Sequence, residues 1–318
     1  MHPCSVVAAM LAALALPLAA ESKPAAKPAK SPPAYHASVP EPTVRGLRYG
    51  SHERHVIDFW KAPSTKPTPM VMVIHGGAWK LGEKERVHRF AQVSRLLDAG
   101  ISVAAINYRL MRHAAAEGVK PPVKAPMDDA ARALQFLRSK AGELNIDPTR
   151  IAAAGGSAGA CTSLWLAYHD DLADPASSDP VARQSTRLDC AAVTGPQTSL
   201  DPQQIKDWIP NSTYGGHAFG HESFAAFLAN REKILPWIRE YSPYGMATKD
   251  DPPVYLFYSA APSPGKPTKD PTHSANFGVK LKEHCDTLGL SCELVHPGIT
   301  QPEHPTATDY LIWRLTRE

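Results

Sequence analysis

The stretch Arg150-Ile-Ala-Ala-Ala-Gly-Gly-Ser-Ala-Gly-Ala160 decides how the rest of the chain is interpreted. Its first half is a short apolar run, and a helix-like segment opens after Ser157, so the sequence predicts a strand, a tight turn and a helix. Two glycines at this spacing around a serine occur by chance in about one chain in ten of this length. The informative feature is therefore the position of Ser157 between a strand and a helix.

The residues that surround Ser157 are all small: Gly155, Gly156, Ala158, Gly159 and Ala160. A turn that exposes a serine between strand and helix forces unfavourable backbone angles on it, and larger neighbours would clash with the adjacent strand and helix. The sequence therefore predicts Ser157 as an exposed nucleophile. An ordinary glycine turn is the alternative.

Apolar strands alternate with amphipathic helices along most of the chain, which predicts an α/β fold with a mostly parallel central sheet and helices on both faces. The predicted strands are 55–60, 70–75, 101–108, 150–154, 190–195, 253–260 and 291–298. The predicted helices are 85–99, 125–144, 158–170, 273–289 and 306–318.

The chain divides into three parts by composition. Residues 1–20 contain a short apolar run that ends in small residues, as in a secretory signal peptide, although no Lys or Arg precedes it. Residues 21–42 are rich in Pro, Ala and Lys and are expected to form a disordered linker. Residues 43–318 form the α/β domain, in which a strand-free segment of about 201–251 predicts a small helical insertion over the active site.

The charge and cysteine content exclude some function classes. The formal net charge is +3, and no basic face is evident, which argues against a nucleic-acid partner. No later apolar run is long enough to span a membrane. The signal-like segment therefore predicts an exported protein, either periplasmic or secreted. Four of the five cysteines follow the signal segment; Cys285 and Cys292 either form a disulfide or are separate core residues.

A second motif, His75-Gly-Gly-Ala-Trp79, directly follows the apolar strand 70–75. Acyl transfer creates an oxyanion that needs preorganised N–H donors, and glycines let the backbone approach the substrate carbonyl. Gly76 and Gly77, together with Ala158 after the nucleophile, are the predicted oxyanion-hole residues. We interpret His75 as a residue that braces the loop and Trp79 as a wall of the substrate site.

These motifs resemble the α/β-hydrolase superfamily. The stretches His75–Trp79, Asn107–Leu110 and Asn145–Ala160 look closest to its esterase and lipase branch, which includes enzymes similar to hormone-sensitive lipase and feruloyl esterases. The similarity covers roughly residues 45–316 and is most specific up to residue 165. It implies a catalytic triad in the chain order Ser, Asp, His, with Ser157 as nucleophile.

The resemblance places the acid after strand 253–260 and the base after strand 291–298. Asp270 is the only aspartate of the first loop and is the predicted acid, although a Pro-rich insertion at 261–269 precedes it. The second region offers His304, which we predict as the base, and His296 at the strand end as the alternative. A chain with no working base is the remaining possibility.

The predicted function is therefore a serine hydrolase that cleaves carboxylic esters through an acyl-enzyme, acting on a small-molecule or carbohydrate ester without a cofactor or metal. The pair His217 and His221 lacks the glutamate of a zinc-peptidase motif and is not expected to bind metal. The alternatives are a catalytically inactive binding module on the same fold and a serine peptidase. The sequence does not specify the oligomeric state.

Overall fold

One eight-stranded sheet organises the chain, and the computed structural model describes Met1 and residues 34–317 of it. The strands are β1 (Val44–Arg48), β2 (Val56–Trp60), β3 (Thr68–Ile74), β4 (Ser102–Ile106), β5 (Ile146–Gly156), β6 (Cys190–Thr194), β7 (Val254–Phe257) and β8 (Cys292–Val295). Residues 2–20 of the predicted signal segment 1–20, and residues 21–33 of the predicted linker, lie outside the described residues.

The strand order is β1-β2-β4-β3-β5-β6-β7-β8. The pairings from β4 through β3 to β8 are all parallel, whereas β1 with β2 and β2 with β4 are antiparallel. The prediction of a mostly parallel sheet is therefore confirmed, with an antiparallel pair of strands at one edge.

Ten α-helices accompany these strands in the described part of the chain. They are α1 (Val93–Asp98), α2 (Met111–Ala116), α3 (Lys124–Ser139), α4 (Ala141–Leu144), α5 (Ala158–Tyr168), α6 (Pro202–Trp208), α7 (Phe224–Ala229), α8 (Arg231–Tyr241), α9 (Asn276–Leu288) and α10 (Ala307–Leu315). Three short 3₁₀ helices lie at Lys84–Arg89, Gly216–Phe219 and Pro243–Gly245. No helix among the described residues is both long and apolar enough to cross a bilayer.

Both faces of the sheet are covered, and strand β3 shows how. Its residues Met70, Met72 and Ile74 belong to a large apolar cluster that includes Leu134 of α3 and Leu164 of α5. Alternate residues of a strand point to opposite faces. Val71 and Val73 accordingly belong to a second cluster, with Leu96 of α1 and Leu311 of α10. Because β3 is buried on both faces, its sequence is a continuous apolar run.

The predicted helix 85–99 is wrong as a single element. The segment begins as the 3₁₀ helix Lys84–Arg89, is interrupted at residues 90–92, and resumes as α1. The interruption is stabilised by the backbone N–H of Gln92, which donates to Thr308 Oγ1 at 3.1 Å. Arg89 and Phe90, at this interruption, line a cavity together with Gly156 at the end of β5.

The prediction that all of 21–42 is disordered is wrong for its last residues. Tyr35 Oη donates to Asp58 Oδ2 at 2.7 Å, and Trp60 Nε1 donates to the Pro40 carbonyl at 2.7 Å. Val39 is buried against the second apolar cluster. The aromatic and apolar side chains of this segment therefore outweigh its proline-rich composition, because they cover β2.

The insertion between β6 and β7 is helical, as predicted, and contains α6, α7 and α8.

The four cysteines of the domain are all buried free thiols, so Cys285 and Cys292 are separate core residues and form no disulfide in this structure.

Candidate active site

Ser157 stands on the turn between β5 and α5 with φ of 53° and ψ of −121°, a conformation that L-residues rarely adopt. Its small neighbours are required by close packing. A Cβ at Gly155 would lie 2.7 Å from the Ile74 carbonyl oxygen, and a Cβ at Gly159 would lie 2.1 Å from the same atom. The turn therefore combines backbone strain with contact distances that only glycine allows, as the sequence predicts.

Ser157 and Asp270 are brought together through His273. With its proton on Nδ1, the imidazole donates to Asp270 Oδ2 at 2.8 Å, and its Nε2 lies 3.0 Å from Ser157 Oγ and accepts from it. The backbone N–H of His273 also donates to Asp270 Oδ1 at 3.2 Å. Acid, imidazole and hydroxyl thus form one continuous hydrogen-bonded chain.

The structure does not place His304 at Ser157, and this part of the prediction is wrong. The His304 backbone N–H and Nδ1 both donate to the carboxylate of Glu293 on β8, at 2.9 and 2.7 Å. Its ring packs against Trp313 and Tyr310 of α10, with centroids 4.6 and 5.4 Å away. The loop after β8 folds back onto its own strand because these contacts bury His304. His296, the alternative, is near Pro297 and also does not contact Ser157.

Sequence reasoning missed His273 because the resemblance placed the base after the last strand. The available signal was the spacing in Asp270-Pro-Thr-His273, in a loop that follows the carboxyl end of β7. Two residues three positions apart in one turn bring an acid and an imidazole together without any long-range contact. The chain order of the triad is retained, but the imidazole belongs to the loop of its own acid.

The loop after β3 lies beside the nucleophile. A Cβ at Gly76 would lie 2.5 Å from the Gly156 carbonyl oxygen and 3.3 Å from Ser157 Cβ. Gly77 has φ of +115°, and a Cβ there would lie 2.1 Å from the Leu81 carbonyl oxygen. Ala158 is the first residue of α5, so its N–H has no acceptor within that helix. Backbone donors from two segments therefore lie next to Ser157.

His75 is buried and braces this loop, as predicted. Its Nδ1 donates to the Gly76 carbonyl at 2.8 Å, and its ring stacks on Tyr108 with centroids 4.2 Å apart. Burial, together with the charges of Arg54 and Arg86, lowers the pKa of His75 to about 3, against the opposing effect of the Gly76 bond. The ring therefore stays neutral, which suits a structural position.

Trp79 does not form a wall of the site, contrary to the prediction. It is fully buried, and its Nε1 donates to Thr162 Oγ1 on α5 at 3.0 Å. The residue also has a left-handed backbone conformation, with φ of 55°. Trp79 thus fixes the glycine loop to the helix that carries the nucleophile turn, and it does not line the cavity.

Ser157 opens into a cavity of about 420 Å³. None of the residues that line this cavity belongs to the insertion, so the insertion does not form the wall expected of it. The cavity is lined by Gly76, Gly77, Arg86, Arg89, Phe90, Gly156, Ser157, Thr194, Gly195, Ser259, Asp270 and His273. The 3₁₀ helix Lys84–Arg89 and the residue after it therefore supply the wall that the sequence assigned to the insertion.

The insertion instead supports the loop that carries Asp270 and His273. The side-chain amide of Asn211 donates to the Thr268 carbonyl at 2.9 Å and accepts from the Thr268 N–H at 3.0 Å. Asn276, at the start of α9, donates to the Trp208 carbonyl at 2.8 Å. Asn276 also donates to the Ser263 carbonyl at 3.0 Å. Both ends of the Pro-rich segment 261–269 are therefore tied to the insertion, and this positions the acid that follows.

The Asp270 carboxylate is held in its ionised form. Partial burial raises its pKa, but the hydrogen bond and the charge interaction with His273, together with backbone N–H donors, outweigh it, so the pKa is lowered. A carboxylate that stays ionised favours the Nδ1 proton on the imidazole and leaves Nε2 free to accept.

Within residues 34–317, one group of side chains has the spacing of metal ligands. None of its members is hydrogen-bonded to Ser157. Glu293, Glu303 and His304 place ligand atoms within 4.8 Å of one another. Two of these three already form the hydrogen-bonded pair described above.

Known proteins resemble this chain in sequence family and in fold. A family model described as BD-FAE matches residues 57–263, more than half of the chain. The carboxylesterase NlhH of Mycobacterium tuberculosis is 33% identical over 109 residues, covering 34% of this chain and 32% of NlhH. The esterase LipC of the same species is 30% identical over 233 residues, covering 68% of this chain and 50% of LipC. The chain thus spans about a third of the first of these relatives and half of the second.

The fold is also similar to that of a solved enzyme structure. The acetyl ester-xyloside bifunctional hydrolase from Caldicellulosiruptor lactoaceticus has a TM-score of 0.56 at 25% identity, covering 76% of this chain and 76% of that enzyme.

Proposed function

Because the chain belongs to the BD-FAE family of α/β-hydrolases, we propose that it hydrolyses carboxylic esters with Ser157 as the nucleophile. One observation carries the proposal: His273 Nε2 lies 3.0 Å from Ser157 Oγ while Nδ1 lies 2.8 Å from Asp270 Oδ2. A serine hydroxyl is a weak nucleophile until a base accepts its proton, and this arrangement supplies the base and the group that orients it.

In the proposed reaction, Ser157 Oγ attacks the ester carbonyl carbon while its proton passes to His273 Nε2. The tetrahedral intermediate collapses by breaking the bond to the alcohol oxygen, which takes the proton from His273 and leaves as the alcohol. Water then attacks the acyl-enzyme with His273 again as base. The acid is released and Ser157 recovers its proton.

Asp270 and the loop amides have supporting roles in this scheme. Asp270 keeps the Nδ1 tautomer of His273 and stabilises the imidazolium that forms in each step. Gly76, Gly77 and Ala158 are proposed to donate backbone N–H groups to the oxyanion. Removal of one such donor typically costs on the order of 3 kcal/mol in barrier height.

The finer substrate assignment is a small-molecule or carbohydrate ester. The similar structure from C. lactoaceticus is described as an acetyl ester-xyloside hydrolase, which supports short acyl groups as a first choice. The cavity of about 420 Å³ has room for a short acyl chain and part of an alcohol group. A panel of acetylated xylan, feruloyl esters and p-nitrophenyl esters of increasing acyl length would rank these substrates by kcat/KM.

The decisive test of the activity is Ser157→Ala assayed with p-nitrophenyl acetate. We expect kcat/KM to fall by at least about 10³-fold, because removal of the nucleophile leaves only binding and the oxyanion donors. Ser94→Ala, which removes an exposed hydroxyl on α1, is the matched control and should retain full turnover. Turnover that survives in Ser157→Ala would overturn the proposal.

A covalent readout separates an enzyme from an inactive binding module on the same fold. A fluorophosphonate probe is expected to add its phosphonyl group to Ser157 with loss of fluoride, as detected by peptide mass spectrometry. An unlabelled Ser157 in folded protein would favour the binding module, since the activated hydroxyl is what the probe reports.

We also propose that the protein is exported. The support is the apolar run from Val6 to Ala20, which ends in small residues. Expression of the full chain in a bacterial host, followed by fractionation and mass measurement, should recover a shortened chain outside the cytoplasm. An intact N-terminus in the cytoplasmic fraction would contradict export.

A further inference from the structure

Two arginines project from one short helix into the cavity that contains Ser157. Arg86 and Arg89 both lie on the 3₁₀ helix Lys84–Arg89, and both line the cavity. A 3₁₀ helix has three residues per turn, so side chains three positions apart lie on the same side. The helix therefore presents two guanidinium groups to the cavity as a pair.

These two guanidinium groups have no carboxylate partner in the described part of the chain, in contrast to their neighbours. Lys84 pairs with Asp58 and Glu85, and Glu83 pairs with Arg54. The salt bridges of residues 34–317 include neither Arg86 nor Arg89, and both side chains are exposed. Two unpaired cations on one face repel each other, and an anion between them would relieve that repulsion.

Among residues 34–317, Asp270 is the only carboxylate that lines the cavity, and it already accepts hydrogen bonds. Asp270 accepts from the Nδ1 and the backbone N–H of His273, at 2.8 and 3.2 Å. Its charge opposes an incoming anion, but two cations outnumber it. The wall that faces the reacting ester is therefore net positive on the side of Arg86 and Arg89.

A second cavity of about 200 Å³ adjoins the first. It shares Arg89, Phe90 and Thr194 with the cavity at Ser157, and it adds the polar residues His88 and Thr306. A group that extends past Phe90 from the ester carbonyl thus enters a recess of mixed polar and apolar lining, whose entrance is flanked by Arg89. The recess gives an anionic substituent a place to lie.

We propose that Arg86 and Arg89 form an anion subsite, so that the preferred substrate is an ester that also carries a carboxylate. This inference rests on the proposed ester hydrolysis and names its substrate class. The carboxylate belongs to the acyl group, as in a half-ester of a dicarboxylic acid, or to the alcohol, as in an acylated hydroxy acid. Arginine recognises both through the same two-pronged hydrogen bonds.

The test uses two pairs of esters that differ mainly in charge. The acyl pair is p-nitrophenyl hemisuccinate and p-nitrophenyl butyrate. The alcohol pair is 4-acetoxybenzoate and 4-acetoxybenzamide. For each pair the measured quantity is the ratio of kcat/KM for the anionic ester to that for the neutral ester. Division of the ratio for a variant by the ratio for the unaltered protein cancels the intrinsic reactivity of the esters.

We expect Arg86→Gln and Arg89→Gln each to lower this ratio about fivefold for at least one pair, in the range of one exposed charge contact. Arg86→Lys and Arg89→Lys should restore part of the ratio, because they keep the charge. Arg239→Gln removes an exposed arginine of α8 outside the cavity and should leave the ratio unchanged. An increase in NaCl from about 0.05 M to about 0.5 M should lower the ratio by screening.

The pair that responds identifies the side of the ester that carries the carboxylate. A ratio that stays the same in Arg86→Gln, in Arg89→Gln and in their double variant overturns the subsite, as does an equal loss on both members of each pair. Ser157-dependent turnover of the neutral esters in that case leaves the proposed function intact. A lack of Ser157-dependent turnover on all four esters overturns the proposed function and the subsite together.

Discussion

His273 and His304 are histidines in loops that follow neighbouring strands, yet their surroundings give them different roles. His273 is bonded on one side to Asp270 and on the other to Ser157, at the wall of an open cavity. His304 is buried, and its Nδ1 is bonded to Glu293. Only the first ring is placed to transfer a proton to a bound ester.

Substitution of the two histidines separates these roles. We expect His273→Gln to lower kcat/KM for p-nitrophenyl acetate by at least about 10³-fold, because Ser157 then lacks a base. We expect His304→Gln to retain activity while it lowers the free energy of unfolding by about 1–2 kcal/mol, because a buried bond to Glu293 is weakened. Kinetics and urea unfolding measure the two effects. A large activity loss in His304→Gln with an intact His273 would contradict the assignment.

At the scale of elements, the contact between α5 and β3 sets the nucleophile turn. Gly159 lies against the Ile74 carbonyl so closely that no side chain fits, and Trp79 of the loop after β3 bonds to Thr162 of α5. The strand, the loop and the helix therefore act as one unit, which holds Ser157 beside Gly76.

A pair of glycine substitutions tests this close packing. Gly159→Ala should destabilise the protein by at least about 2 kcal/mol and reduce turnover, because its Cβ meets backbone atoms that cannot move aside. Gly142→Ala, in α4 with open space around the added methyl, should be neutral or stabilising by about 0.5–1 kcal/mol. Similar effects of the two changes on thermal or urea unfolding would argue against the contact.

The loop after β3 should also give stability a pH dependence through His75. The folded pKa of about 3 lies below the ordinary value of 6.5, so between these values the unfolded chain binds a proton that the folded chain does not. Stability from His75 is therefore present above pH 6.5 and is lost as the pH falls. The contribution between pH 5 and pH 7 is about 2 kcal/mol.

Urea unfolding of His75→Gln across pH 5–7 measures the contribution of His75 to the free energy of unfolding. The variant should show a smaller rise in the free energy of unfolding with pH than the unaltered protein. Burial also lowers the pKa of His217, to about 4. The free energy of unfolding of His75→Gln should therefore still rise with pH, but by less than that of the unaltered protein. His36→Gln, which changes an exposed imidazole, is the control. Parallel pH curves for His75→Gln and the unaltered protein would refute the assignment.

At the scale of the whole molecule, one buried arginine connects the edge of the sheet to the active-site loop. Arg54, in the turn between β1 and β2, donates to the Tyr108 carbonyl at 2.7 Å, to Glu83 Oε1 at 2.7 Å and to the Gly82 carbonyl at 2.8 Å. Its Nη2 lies 3.4 Å from His75 Nε2. The antiparallel pair of strands thus supports residues that are remote from it in sequence.

Replacement of this arginine should therefore affect both stability and activity. Arg54→Met leaves buried carbonyls and Glu83 without their donor, and we expect a loss of about 3 kcal/mol in unfolding free energy together with reduced kcat. Arg48→Met, in the neighbouring strand, removes an exposed arginine bonded to backbone carbonyls of its own turn and should cost less than about 1 kcal/mol. Equal costs for the two variants would show that the buried network does not support the loop.

Much of this architecture follows from local features of the chain. The apolar runs of β3 to β6, the small residues around Ser157 and the glycines after β3 each express a constraint that acts within a few residues. Burial on both faces requires a continuous apolar strand, and a strained turn requires neighbours without side chains. These features were accessible from the sequence because hydrophobic period and glycine content report local geometry.

The sequence by itself determined the parallel sheet, the position of Ser157 and the presence of Asp270 in the loop after β7. Only the tertiary structure decided that His273 reaches Ser157, that His304 turns toward Glu293, that Trp79 lies beneath its loop and that Arg86 and Arg89 line the cavity. The physical reason is that these outcomes depend on the paths of loops whose ends are fixed by distant strands. A side chain at a loop position takes whichever partner the folded chain brings within hydrogen-bond distance, and residue type alone does not specify that partner.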